Sequence, residues 1–368
     1  MAAGADEDIG DRPIEVILLA GRLGLDDDGW PLTPLVDRIE SRGIAPRVLC
    51  SAQGKASDDP RIVEIPWLSR PWLKHLAVRR LRLDPTFKRP SILHAVHEEM
   101  SAVALALAEI WRIPYIQTID DFASLDDGLR LSRRWLRTVV ASSAELAAAL
   151  VAELHVPGER VVVIPPGITV ENAPVRADGW KVPVIGVAGP PVEEAGFVSF
   201  LEAARIVLAL GRDAEFLIAS QGGDAIELRR YAQTLGIQER VTVADFPVVG
   251  PRFWSVLDLY CQPSLVPSTG RTLTLALANG VPSVAADVQG LRGVIEAGRS
   301  GLLASPGDPA ALADAFIHLL DHPDHARAMG AVARDQIRAR FNLDDEADRL
   351  VALYRRSVDP PPIAGRIS

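Results

Sequence analysis

Short apolar runs alternate with longer amphipathic ones along most of this chain. Runs rich in Val, Ile and Leu at 14–20, 47–50, 62–65, 92–96, 114–119, 138–141, 182–188, 216–219, 257–261 and 281–286 predict strands buried on both faces of a sheet. The segments between them carry apolar residues at helical spacing. They predict helices over 35–41, 101–110, 144–154, 197–210, 225–235, 272–278, 309–320, 322–340 and 344–356. Stops and starts agree: Gly43 and Asn279-Gly280 end helices, Ser143 is placed as an N-cap, and Pro263 and Pro267 break the chain before 272. Strand, helix, strand in repetition predicts an α/β protein built on doubly wound parallel sheets. The rhythm pauses over a polar stretch holding Pro174 and Gly179 and resumes at 182, which predicts two domains and a linker.

Composition narrows the picture. A chain of 368 residues with 48% apolar content is long enough for two ordinary domains, each with its own core. A net charge of −9 argues against a nucleic-acid partner. Cys50 and Cys261 sit in apolar runs far apart, as small core residues of a reducing, cytoplasmic compartment do, not as a disulfide pair or metal ligands. No run is long and apolar enough to span a bilayer, and 1–12 is acidic, without a signal-peptide pattern, and is expected to be a disordered tail.

Four local features invite sharper readings. The segment 66–89 sets Trp67, Trp72, Leu73, Leu76, Leu81 and Phe87 among Arg70, Lys74, Arg79, Arg80, Arg82, Lys88 and Arg89. That pattern suits peripheral contact with an anionic membrane surface, to which the basic stretch 130–137 with Trp135 would add; the plainer alternative is a helix with its Trp in the core and a solvated basic face. Asp26, Asp27 and Asp28 read as a solvated acidic turn, since no second ligand cluster accompanies them. The run His94-Ala95-Val96-His97-Glu98-Glu99 lacks the order of a zinc-hydrolase motif, because both histidines precede the glutamates. His318, His322 and His325 are interrupted by Pro323 and read as surface residues. No metal or other cofactor is expected.

The most informative stretch is 263–285. A loop with two Pro and a Gly follows a strand and leads into a helix, the place where parallel sheets bind phosphates. Pro263-Ser264, Ala276, Ala278, Gly280 and Pro282 resemble the signature of the retaining GT-B glycosyltransferases of family 4. The segments 156–168 and 236–243 are also similar to that family, and together the similarity spans 13–357. The resemblance implies two Rossmann-like domains facing across a cleft: an acceptor-side domain at 13–170, a linker at 171–181, a nucleotide-sugar domain at 182–340, a helix at 341–357 crossing back to the first domain, and a tail at 358–368.

The positions that carry the family's chemistry differ. Its two signature glutamates correspond to Pro267 and Leu275, its donor-gripping Arg and Lys to Pro190 and Ala195, and a histidine beside the donor sugar to Asp120. Pro and Ala carry no charge to a diphosphate, and Pro and Leu accept no hydrogen bond from ribose through a side chain. Each lost charge-assisted hydrogen bond removes about 1.5–3 kcal/mol. What remains for a nucleotide sugar is Gly189, Ser268, Thr269, Gly270, Arg271, Thr272 and Arg292, and for an acceptor Gly29, His97 and Asp120. The resemblance therefore implies a glycosyltransferase-like protein that has lost the usual catalytic groups and acts as a binding or partner subunit, with a homologous glycosyltransferase or a second copy of itself as partner. Two alternatives stand beside it: an active hexosyltransferase that uses Arg271 or Arg292 on the diphosphate, and a membrane-surface adaptor.

Overall fold

The structure is a computed structural model and describes residues 13–23, 32–53, 59–66, 68, 78–79, 81, 89–125, 129, 131–170, 182–190, 192–220, 225–245 and 251–358. Gly29, the Asp26–Asp28 triplet, the segment 171–181, residues 221–224 and 246–250 and most of 66–89 lie outside them.

Two parallel sheets form the frame. Strands β1 (Ile14–Leu19), β3 (Ile44–Cys50), β5 (Ile62–Glu64), β6 (Ile92–Ala95), β7 (Tyr115–Ile119), β8 (Leu136–Ala141) and β9 (Val161–Val163) make a seven-stranded sheet in the order β5-β3-β1-β6-β7-β8-β9. The two-residue strands β2 (Arg22–Leu23) and β4 (Ala52–Gln53) pair beside it. Strands β10 (Val184–Gly189), β11 (Glu215–Ser220), β12 (Val241–Asp245), β13 (Leu259–Gln262), β14 (Ser283–Ala286) and β15 (Leu302–Ala304) make the second sheet, ordered β12-β11-β10-β13-β14-β15. Each sheet starts at its centre, winds to one edge, then returns and winds to the other. The order reverses between β1 and β6 in one domain and between β10 and β13 in the other, and ligands of such sheets bind outside the strand ends at these points.

Central strands are buried along their length, as apolar runs without alternation require: all of Ile92–Ala95 and Ser283–Ala286 is buried. Several helices are wider than their pattern suggested. The first covers Leu32–Ser41, three residues earlier than expected, and ends at Gly43 with φ +83°. Ser143 caps helix Ala144–Ala152 by accepting from the Leu146 amide at 3.1 Å. Ser143→Ala is expected to cost about 1 kcal/mol, read as a lower urea midpoint. Elements outside the expected set include β9, although Val161–Val163 is wholly apolar, and the short helix Pro251–Val256.

The last helix, Leu343–Val358, leaves the second domain and packs on the first. Its Ala347, Leu350, Val351, Leu353 and Tyr354 join Val16, Leu18, Leu35, Ile39, Ile92, Val140 and Ile164 in one buried cluster. Arg42, from the loop after the first helix, meets Asp344 and Asp348 of the crossing helix at 3.1 and 2.5 Å. Those aspartates are well exposed, so the apolar seam carries most of the docking energy.

Of the expected membrane segment, Leu68, Val78 and Leu81 are buried in the N-terminal core while Arg79 and Arg89 are exposed. Cys50 and Cys261 are buried in separate domains. No helix among the described residues is long and apolar enough to cross a membrane.

Candidate functional site

A cleft of about 500 Å³ opens between the domains, at the carboxyl ends of the N-terminal strands. Its floor comes from the residues that follow three adjacent strands: Val96 to Glu99 after β6, Asp120 and Asp121 after β7, Ser142 and Ser143 after β8. The opposite wall holds Thr269, Arg271, Thr274 and Gly290 of the second domain. An inner arm runs under the crossing helix, where Leu18, Leu35, Ile39, Val140 and Leu350 surround a few polar groups.

The loop and helix of the 263–285 stretch supply that wall. Gly270 caps helix Arg271–Ala278 with φ +69°, and the Thr274 hydroxyl donates back to its carbonyl at 2.9 Å. Arg271 follows directly, and its guanidinium reaches across the cleft to Asp120 at 3.4 Å. Gly290 lies so close to the Ser268 carbonyl that a Cβ would stand 2.2 Å from that oxygen, which fixes the two loops against each other.

Asp120 belongs to a group. Glu98 accepts the Asp120 amide at 2.8 Å and the Asp121 amide at 3.2 Å through Oε1. Burial first, and then the Asp120 charge beside it, push the Glu98 carboxyl up to about 7. The carboxylate that stands at the family's histidine position therefore sits among other acids, with Arg271 as its counter-charge.

The inner arm is a second group. His94 is fully buried, with its ring nitrogens 2.7 Å from the Tyr354 hydroxyl and 2.7 Å from the Thr118 hydroxyl. Burial holds the ring neutral by pushing its pKa down to about 3. Glu346 of the crossing helix accepts the Gly167 amide at 2.7 Å, and burial pushes its carboxyl up to about 7. His94 thus ties strand to helix, with both ring nitrogens engaged by hydroxyls. His97 does line the cleft, with its Nδ1 accepting the Gly21 amide at 3.3 Å.

Thr269, Arg271, His97 and Asp120 are brought together as cleft-lining residues; Gly189, Ser268, Gly270, Thr272 and Arg292 are not among the described lining. Arg292 lies on the surface outside this lining. Its side chain is 61% exposed and is bonded to the carboxylate and carbonyl of Asp287. Leu275 and Ala195 pack into or against the core of the second domain, while Pro190 and Pro267 are exposed. Glu98, Ser142 and Glu346 were not singled out by sequence reasoning. Glu98 stood in the noted His/Glu run, but Glu346 looked like an ordinary acid in a helix's first turn.

The histidines at 318, 322 and 325 meet despite Pro323, with ring centroids 4.8 and 5.7 Å from that of His318. Among the described residues no group of three His, Cys, Asp or Glu side chains is arranged to hold a metal ion.

Residues 33–172 match the family described as Glycosyltransferase Family 4, and residues 182–322 match Glycosyl transferases group 1. The chain belongs to the family 4 glycosyltransferases of the GT-B fold. Among its relatives in this family, an alpha-D-kanosaminyltransferase of Streptomyces kanamyceticus is 30% identical over 47% of this chain and 45% of its own length. A D-inositol 3-phosphate glycosyltransferase of Catenulispora acidiphila is 31% identical over 60% of this chain and 57% of its own length. The chain thus spans about half the length of these two relatives. The GT-B arrangement recurs in the Anabaena protein HepE, solved with UDP and glucose, at a TM-score of 0.75 and 17% identity over 93% of this chain and 99% of that one.

Proposed function

We propose that this family 4 protein is a sugar-recognising subunit of glycan or glycoconjugate synthesis that does not carry out donor chemistry by the family's usual groups, and that it works beside a competent glycosyltransferase. One observation carries the reading: the charge of the cleft has the wrong sign for a donor. Its described lining presents Glu99, Asp120 and Asp121, and Glu98 and Glu346 where they ionise above about pH 7, against the guanidiniums of Arg271 and Arg340. A nucleotide diphosphate brings further negative charge, and like charges repel most where water is scarce. The side chains at the expected donor positions, Pro190, Ala195, Pro267 and Leu275, offer no charge or hydrogen bond in compensation.

A second reading is favoured by Arg271. It lines the cleft beside Thr269 at a helix N-terminus, where a diphosphate would be received by an active hexosyltransferase. Calorimetric titration with UDP-glucose and GDP-mannose, followed by a hydrolysis and transfer assay, separates the two. Weak or absent binding and no product above background are expected. Product formation that is lost in Arg271→Ala would replace the first reading by the second.

A further inference from the structure

The floor of the cleft has a composition of its own. Strands β6, β7 and β8 lie side by side in register, Ala95 opposite Gln117 and Ile119 opposite Ala141. Glu98, Asp120 and Ser142, just beyond their ends, therefore stand in one row along the sheet edge. The Ser142 amide donates to the Ile119 carbonyl at 3.3 Å, which holds the serine against the Asp120 turn. Ser142 is 8% exposed and lines the cleft, yet its hydroxyl has no hydrogen-bond partner. A buried hydroxyl left unpaired costs free energy, and it points to a polar group that arrives with a ligand. One helical turn on, the buried Oε2 of Glu145 is likewise unpartnered, and its other oxygen would stand 2.6 Å from a Cβ at Gly293 of the second domain.

The charges facing Glu98 are Glu99 and His97 on its own segment, Asp120 and Asp121 after β7, and Arg271 from the other domain. Arg271 answers Asp120. Burial first, and then the Asp120 charge, make Glu98 hold its proton to about pH 7. A positively charged group entering the row would let that carboxyl ionise and would be held by it.

We propose that Glu98, Asp120 and Ser142 form a binding site for a polyhydroxylated ammonium ligand, an amino sugar or aminocyclitol, with the carboxyls receiving the ammonium and the serine hydroxyl pairing with a ligand hydroxyl. The proposal rests on the reading that this cleft recognises sugars but does not grip a diphosphate. It also sets a direction for pH. Because the ligand binds the ionised form of Glu98, binding releases a proton, and affinity rises as pH rises towards the carboxyl's value.

The test is calorimetry on the full chain with D-glucosamine, D-glucose and N-acetyl-D-glucosamine, with UDP-glucose and MgCl₂ as separate arms. Glucosamine is expected to bind at least about tenfold more tightly than the two uncharged sugars, a difference on the scale of one charge-assisted hydrogen bond. Its apparent heat is expected to depend on the buffer's ionisation enthalpy, as proton release requires. Asp120→Asn is expected to weaken glucosamine alone by about tenfold or more, and Ser142→Ala to weaken by a similar factor every sugar that binds there, since its partner is a ligand hydroxyl. Equal affinity for the three sugars, or a response to Mg²⁺ matching that to glucosamine, would overturn the proposal without recourse to any variant. If neither glucosamine nor UDP-glucose binds, the ammonium site falls and the loss of donor grip stands. If UDP-glucose binds and is turned over, the reading of the preceding subsection falls, and the ranking of the three sugars still decides this one.

Discussion

Gly167→Ala will unseat the crossing helix. Gly167 lies just beyond β9, and a Cβ there would stand 2.3 Å from the Leu343 Cα and 2.7 Å from its amide nitrogen. Those are backbone atoms of the chain entering the crossing helix, so no rotamer change makes room. Either the helix start or the 164–170 segment has to move, and both moves open the buried cluster of Leu343, Ala347, Leu350 and Tyr354 against Val16, Leu35 and Ile164. The Gly167 amide also donates to Glu346, so the same displacement strips a buried carboxyl of its hydrogen bond. A loss of about 3 kcal/mol is expected, the upper end of the overpacking range. The observable is faster cleavage within 343–358 under limited proteolysis, with a lower urea midpoint. Gly43→Ala is the contrast: its site is open, so only the strain of φ +83° is added and the loss should be nearer 1 kcal/mol.

How much of this was legible in the sequence depends on the kind of signal. Continuous apolar runs such as those at 16–19 and 284–286 announce buried parallel strands, because a strand covered on both faces has no polar face to show. Ser143 announces its helix, because capping is a local event between neighbours. The site divides on the same line. Asp120 was visible as a substitution in a motif frame and Arg271 as a candidate for the diphosphate, but their pairing was not, since 151 residues separate them and only docking of the domains joins them. The bond of Arg292 to Asp287, five residues away, was likewise not read from the sequence. Glu346 was the least legible. It stands beside Asp344 and Asp345 in a polar first turn, and it becomes a buried acid only because the helix crosses to the first domain and lays that turn on Gly167.

That burial has a measurable consequence. Glu346 holds its proton to about pH 7 in the folded chain against an ordinary value of 4.5, and desolvation is the main cause. The folded state therefore keeps a proton that the unfolded state has lost between those two values. The stability this contributes is fully present below the unfolded value and is lost as pH rises through the folded one. A displacement of this size corresponds to about 3 kcal/mol. Glu346→Gln keeps an oxygen to accept the Gly167 amide and removes the titration. The variant should match the wild type near about pH 4.5 and exceed it increasingly towards pH 8, by up to about 3 kcal/mol. Glu98 is raised by burial and by Asp120 and slopes the same way in both proteins, while His94, held neutral by burial, slopes oppositely in both as pH falls from its ordinary value towards 3. The difference between the two urea-midpoint curves thus isolates Glu346. Parallel curves across this range would mean that the turn is hydrated and that the crossing helix does not seal the inner arm of the cleft.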